Sequence, residues 1–429
     1  MHLSRPDRAG LIAVVLLTAA THFTYLAYSS DYYFPDSATY TAPAKALSEG
    51  HGFGADDETP ETMRTPGYPL LLAAFDRVTP SPLPVVFSQH LLACLLTAAL
   101  YLLALRETGS RRVALLASII VALDTLTIHY ANKVLTENLF TIVLFGIVLL
   151  ALRLARRPSM AGFVAVGLLS GALVLIRPVA IAYVGVLALF FAFTATATDA
   201  PARASIIKAI AAFVAAALLM PIGWALRNQR ESGVFTIASI AGTNMLLYRA
   251  AGVLAITDEG DFRKNLKHRQ AELERQVRGA IREKEGVDPN ELPHAVLAQW
   301  YSRAARPLIL AHPGAYALLA ARGVAVNLFY TDWDALALVS RLPPALIRWV
   351  IRALTLALFP AAISGLIVLG RGNRNLATLI VLTCAYFLVI SAGGESEARF
   401  RAPIVPLYAL AAAAGFDTAI GRNRRLVRP

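Results

Sequence analysis

Long apolar runs, broken at short intervals by arginine, proline and glycine, set the pattern of this chain. A helix needs roughly 20 apolar residues to cross the hydrocarbon core of a bilayer. Candidate spans are 11–28, 83–105, 113–129, 138–153, 161–176, 179–196, 205–225, 346–369, 376–391 and 402–420, with only Arg177-Pro178 dividing the fifth from the sixth. Segment 313–330 is apolar as well. Counted alone it would reverse the sidedness of every later loop, so it reads as interfacial or as half of a re-entrant pair.

Basic residues then orient the spans. With ten crossings, Arg5/Arg8, Arg106/Arg111/Arg112, Arg153/Arg156/Arg157, Arg203/Lys208, Arg371/Arg374 and Arg422/Arg424/Arg425/Arg428 all fall on one side. The positive-inside rule makes that side cytoplasmic, with both termini there. The other side receives 29–82, 130–137, the Arg177 turn, 226–345 and 392–401. Within 226–345, "TDEGDFRKNLKHRQAELERQVRGAIREKEG" is a charged helical pattern ended by Gly286 and Asp288-Pro289. It predicts one or two helices on the outer membrane surface, which cap a site or select an acceptor. The chain thus divides into a transmembrane module, 1–225, containing the external loop 29–82; an extracytoplasmic stretch, 226–345; and C-terminal helices, 346–429. At the N-terminus, Arg5 and Arg8 ahead of Leu11–Ala20 have the look of a signal peptide. The apolar run continues through aromatics to Tyr28 with no small-x-small site before Asp31, which predicts an uncleaved first helix.

Composition sharpens this picture. Of 429 residues, 57% are hydrophobic and 16% charged, with a mean hydropathy of +0.56. Soluble domains carry roughly 25% charge and 45–50% apolar residues, so the pattern is that of an all-α polytopic membrane protein. The net charge of +12 does not point to nucleic acid, because the arginines sit in short clusters between spans. Cys94 and Cys384 lie inside apolar runs, against both a disulfide framework and a metal cluster. No GxxxxGK[ST] loop and no helix-opening GxGxxG is present.

The informative residues are charges on the outer side. Arg64, Lys133, Arg177, Arg227, Arg399 and Arg401 each end a span beside proline, glycine or an acid; Asp31, Asp36, Glu137, Glu395 and Glu397 join them. One such cation would merely snorkel to the interface. Several on one face suit an anionic headgroup, because guanidinium offers forked donors to phosphate. A carboxylate beside them suits group transfer from a lipid phosphate: it takes the proton of an attacking hydroxyl, while the cations stabilise the departing phosphate. With no ATP on that side, an activated lipid must carry the energy.

"PDSATYTAPAKALSEGHGFG" followed by "MRTPGYPLLLA" resembles the first external loop of the glycosyltransferase C (GT-C) superfamily. More closely, it resembles the bacterial relatives of protein O-mannosyltransferases and of lipid A aminoarabinose transferases. "NKVLTENLF" (132–140), "LIRPVA" (175–180), "PIGWALRNQRESG" (221–233) and "EARFRAPIVPLYAL" (397–410) follow in the family's order. The resemblance implies a GT-C fold of about ten membrane helices with interfacial helices outside. It also implies an inverting transfer of a sugar from a polyprenyl-phosphate carrier at the outer face of a bacterial inner membrane, in the modification of cell-envelope glycan or lipopolysaccharide.

By that resemblance Asp36 is the general base or positions the acceptor hydroxyl, and Glu137 is the second-loop acid. Arg64 faces the lipid phosphate, aided by Arg227, Arg399 and Arg401 and by Lys133 and Arg177. Asn228 accompanies Arg227, and Tyr40 and Tyr68 offer rings to a sugar. Plainer readings stand beside these: Asp36 as a helix N-cap, Glu137 as a cap of the helix from Asn138, Arg64 as an interfacial anchor, and the tyrosines as an aromatic belt. The histidines scatter without HExxH or paired spacing, and no acids form a cage. The expectation is neither cofactor nor metal, although some superfamily members with pyrophosphate donors use a divalent cation. The chain departs from the family in being shorter than the aminoarabinose transferases, with no soluble domain expected after residue 420. Asp36-Ser37 also replaces the Asp-Glu pair common in protein O-mannosyltransferases, favouring a glycolipid or polysaccharide acceptor over a protein. Two rival functions remain. A lipid-linked sugar flippase would call for paired halves or broken helices at mid-membrane, which the sequence does not display. A catalytically inactive accessory subunit would not need Asp36.

Overall fold

A computed structural model describes residues 3–54, 59–330 and 343–420. Its regular structure there is helical apart from one isolated β-bridge, Gly54–Pro60. The first half runs α1 (Arg5–Tyr28), α2 (Ala38–Glu49), α3 (Gly67–Asp76), α4 (Leu83–Thr108), α5 (Arg111–Ala122), α6 (Thr125–Ala131), α7 (Glu137–Arg156), α8 (Met160–Ile176), α9 (Ile181–Ala195) and α10 (Ala200–Ser232). There follow α11 (Ile240–Asn244), a π-helical turn (Met245–Ala250), α12 (Ala251–Ala255), α13 (Phe262–Glu285), α14 (His294–Ala311) and α15 (Pro313–Phe329). The chain closes with α16 (Pro344–Gly372), α17 (Arg374–Ile390) and α18 (Val405–Ala419).

Short polar side chains start the apolar helices. Ser4, Ser110, Ser159 and Asp199 each accept the backbone N–H three residues on, satisfying an orphan donor of the first turn. Seven helices among the described residues are long and apolar enough to cross a membrane. Together with the α5–α6 pair, bent by 52°, and the shorter apolar α8 and α17, they are the ten segments read from the sequence. α14 and α15, the latter covering most of 313–330, meet at a bend of 102°, the geometry of a broken span or of a re-entrant pair. α13 is the charged helix read from the sequence: Leu266, Leu273, Val277 and Ile281 form its buried stripe, and Gly286, at φ +68°, ends it. That stripe packs with Leu246, Leu297 and Tyr301 into a small core separate from the membrane bundle.

Burial orders the bundle. The span ending in α18 is 78% buried, whereas those of α10 and α16 are 28% buried and face outward. α16 and α18 touch through backbone: a methyl at Gly365 would lie 1.8 Å from the Ala411 carbonyl oxygen. Such small-residue seams are how membrane helices approach closely when lipid supplies no hydrophobic drive between them.

Polar contacts separate the two ends of the bundle. At one end Arg111 pairs with Asp7 at 3.1 Å, and Glu107 accepts from Arg156 at 2.9 Å and from Asn373 at 2.5 Å. This end carries the basic loops; Arg422, Arg424, Arg425 and Arg428 lie outside the described residues. At the other end the segments 31–37, 61–66 and 132–137, together with Arg177 and the 392–401 stretch, come together.

Candidate functional site

The site is built where these loops meet. Pro35–Ser37 forms a 3-10 turn, and Ser37 fixes it: its hydroxyl accepts from the Phe34 N–H at 2.9 Å and donates to the Val134 carbonyl at 2.9 Å. That leaves the Asp36 carboxylate free of capping duty, so the plain N-cap reading is not what the structure shows. Instead Asp36 lies between two guanidiniums, 2.8 Å from Arg399 Nη1 and 3.7 Å from Arg64 Nη2.

Each arginine is aimed by its surroundings. Arg64 Nε donates to Thr39 Oγ1 at 2.9 Å, and its guanidinium lies over the Tyr40 ring, 4.8 Å from the centroid. Its backbone N–H donates to Glu61 Oε1 at 3.1 Å, as does that of Met63. Burial raises the Glu61 pKa, although those two N–H groups and the Arg64 and Arg227 cations pull it down. Arg399 is sandwiched by the rings of Phe34 and Phe400, at 4.8 and 5.3 Å, and pairs through Nε with Glu397 at 2.8 Å.

Behind this pair lies Glu137, whose Oε1 is 3.2 Å from Arg177 and 4.0 Å from Arg399. It opens α7 but caps nothing there. Ion pairs therefore connect Arg64, Asp36, Arg399, Glu137 and Arg177 in a line of alternating charge. Exposure grades along it: the Asp36 side chain is 35% exposed and that of Glu137 is 3%. Asp36 can meet a ligand directly, whereas Glu137 can act only through the arginines it holds. Glu137 Oε2 and Asn138 Oδ1 are buried without partners, beside a cavity of about 20 Å3 that His22 and Thr127 also line.

The remaining sequence candidates go elsewhere. Lys133 is buried, donating to the Asp31 carbonyl at 2.9 Å and pairing with its carboxylate at 2.6 Å. Arg227 donates to the carbonyls of Glu61 and Phe53 at 2.6 and 2.7 Å, between the rings of Phe53 and Trp224, and so braces the first loop. Asn228 donates to the carbonyls of Thr236 and Ile237. Arg401 is buried against the carbonyls of Asn327 and Leu328, binding the end of α15. Tyr68 is wholly buried, its hydroxyl donating to Gln89 and its ring edge-on to Tyr40, so neither face is open to a sugar. Tyr40 is nearly as buried, beneath Arg64. Glu395 pairs with Arg249 at 3.2 Å.

Some neighbours carried no signal in the sequence. Tyr248, in the π-helical turn, sits within electrostatic reach of Asp36, Glu397 and Glu395; burial first and those carboxylates second raise its phenol pKa. His294, sharing a 2.6 Å hydrogen bond with Ser239, is lowered by burial and by the Arg64 cation. His22 and His90, far apart in sequence, share a 2.9 Å hydrogen bond. Among the described residues no group of three or more His, Cys, Asp or Glu side chains comes together to hold a metal ion.

A family model for dolichyl-phosphate-mannose-protein mannosyltransferase matches residues 63–224. That stretch holds Arg64, Glu137 and Arg177 but neither Asp36 nor Arg399. No curated protein sequence matches the chain. Among solved structures, the oligosaccharyltransferase of Archaeoglobus fulgidus tethered to an acceptor peptide is 14% identical and superposes with a TM-score of 0.53. The match covers 97% of this chain and 52% of that one. The same organism's oligosaccharyltransferase AglB, in complex with an inhibitory peptide and a dolichol-phosphate, gives 13% identity and a TM-score of 0.53, covering 98% of this chain and 52% of that one. ArnT from Cupriavidus metallidurans, bound to undecaprenyl phosphate, is 12% identical with a TM-score of 0.42, covering 93% and 77%. The chain spans about half the length of the oligosaccharyltransferases it matches.

Proposed function

We propose that this polytopic membrane chain, which carries the GT-C fold, is a glycosyltransferase moving a sugar from a polyprenyl-phosphate carrier to an acceptor hydroxyl. The observation that carries this reading is the half-exposed Asp36 carboxylate held between Arg64 and Arg399 at one end of the bundle. The acceptor O–H gives its proton to Asp36 as the oxygen attacks the anomeric carbon. The bond from that carbon to the phosphate oxygen breaks, and its electron pair leaves on the phosphate. Arg64 and Arg399 receive that developing charge, since each guanidinium has five N–H donors and Asp36 occupies only part of the fork. One displacement inverts the anomeric configuration and releases polyprenyl phosphate. Glu137 and Arg177 serve as positioning residues, holding Arg399 from behind.

The family-model match and the dolichol-phosphate in the AglB structure support a lipid-phosphate donor. Basic loops at the opposite end of the bundle support an outward-facing site in a bacterial inner membrane, with cytoplasmic termini. Asp36-Ser37 favours a glycolipid or polysaccharide acceptor.

The test is an assay in membranes containing the full chain, with a panel of polyprenyl-phosphate sugars and extracted envelope glycolipids. Free polyprenyl phosphate should accumulate with one donor, and the product should have the opposite anomeric configuration. A product of retained configuration would contradict the single displacement. No turnover with any donor would contradict the enzyme reading.

A further inference from the structure

A second site lies on the outer part of the molecule, separate from the Asp36 cluster. The 233–242 segment after α10 and one face of α14 enclose a cavity of about 270 Å3. That is near the low end of the roughly 300–1,000 Å3 typical of small-molecule pockets. Its polar lining is Thr236, Ser239, Gln299, Ser302, Arg303 and Arg306, beside mostly small apolar residues, and no carboxylate among the described residues lines it. Arg303 and Arg306 have no acidic partner among the described residues, unlike the arginines of the Asp36 cluster.

The order of residues along α14 shows what such a pocket would meet. Gln299, Arg303, Arg306 and Leu310 recur at spacings of four, three and four, so they share one helix face. That face passes from amide to two cations and then to Leu310, which is 79% exposed immediately before the bend into α15. On the other wall Phe235, 56% exposed, follows α10, whose exposed Leu219, Ile222 and Leu226 form a lipid-facing stripe leading up to it. Cations above exposed apolar side chains match a phosphate headgroup above its acyl chains.

The pocket also adjoins the first site. Ser239 in its wall donates its N–H to the Thr62 carbonyl at 2.9 Å, two residues before Arg64. From these placements we infer that the cavity binds the anionic headgroup of a membrane lipid and thereby presents the acceptor for glycosyl transfer. The acceptor role rests on the proposed function; the lipid site itself does not. The acceptor class is then a glycolipid bearing phosphate or carboxylate, anchored in the same leaflet as the donor.

The test uses the purified full chain in neutral detergent micelles, titrated calorimetrically with dihexanoyl phosphatidate. Saturable binding is expected, with none for dihexanoyl phosphatidylcholine or inorganic phosphate. Arg303→Gln/Arg306→Gln should weaken binding by about tenfold or more, the scale of losing charge-assisted hydrogen bonds. Ala241→Trp, placed at an exposed lining position, should block binding with both arginines intact. Wild-type affinity in the double variant, or equal binding of phosphatidylcholine, would overturn the site; equal binding of inorganic phosphate would make it a free-anion site. Undecaprenyl phosphate binding, measured in the wild type and Arg64→Ala, separates the two claims. If it depends on Arg64 while phosphatidate ignores Arg303 and Arg306, the pocket inference alone fails. Should the reverse hold, the donor reading fails and the lipid site stands.

Discussion

At the scale of residues, the decisive contrast is between two carboxylates joined through one arginine. Asp36 is exposed enough to meet a hydroxyl, whereas Glu137 is buried with Arg177 and Arg399 against its Oε1. Removing the Glu137 charge leaves Arg177 without its ion-pair partner, whereas Arg399 keeps Asp36 and Glu397; breaking a buried pair costs on the order of 3–5 kcal/mol. Glu137→Gln is therefore expected to lower thermal stability in detergent by that order, while Asp36→Asn, at a more exposed position, changes it little. Equal melting temperatures for wild type and Glu137→Gln would show that Glu137 does not hold the arginines. The residue types and their place near the ends of apolar segments were legible in the sequence; their directions were not. Arg401 and Arg399 are two positions apart, yet one binds the end of α15 and the other faces Asp36. Arg227, Asn228 and Tyr68 likewise turn into packing. Hydropathy sets the depth of a side chain but not its azimuth, which depends on neighbours brought from distant segments. Tyr248 and His294 show the same limit from the other side, since nothing around them in the chain marks them as neighbours of the site.

At the scale of elements, the ten apolar segments followed from run length, and seven of them are helices long and apolar enough to cross a membrane. Run length did not reveal how closely elements approach. The glycine of "MRTPGYP" is an instance: a methyl at Gly67 would lie 2.6 Å from the Leu175 carbonyl oxygen, two residues before Arg177. The start of α3 thus rests on the backbone at the end of α8, and this contact joins the segment carrying Arg64 to the one carrying Arg177. Gly67→Val must separate them. Overpacking of this kind typically costs about 1–3 kcal/mol, and it should weaken undecaprenyl phosphate binding as Arg64→Ala does. Unchanged binding and stability in Gly67→Val would show that the two loops are positioned independently.

At the scale of the whole molecule, two ends of different character make the account. One end closes with basic loops paired to Asp7 and Glu107. The other gathers segments from both halves of the chain around Asp36, and the separate small core of α13 and α14 meets it where Leu266 lies against Gly394. A long charged helix outside the membrane was readable from its pattern. The cavity that the following helix, α14, frames was not, because its two walls are about sixty residues apart in sequence. The central claim is that this outer end transfers a sugar and that Asp36 takes the proton. The most direct measurement is turnover of the active polyprenyl-phosphate sugar by Asp36→Asn in membranes, alongside binding of undecaprenyl phosphate by the same variant. Loss of a general base predicts a fall of about 10²–10⁴-fold in turnover, with lipid-phosphate binding retained through Arg64 and Arg399. Turnover by Asp36→Asn at the wild-type rate would contradict the account.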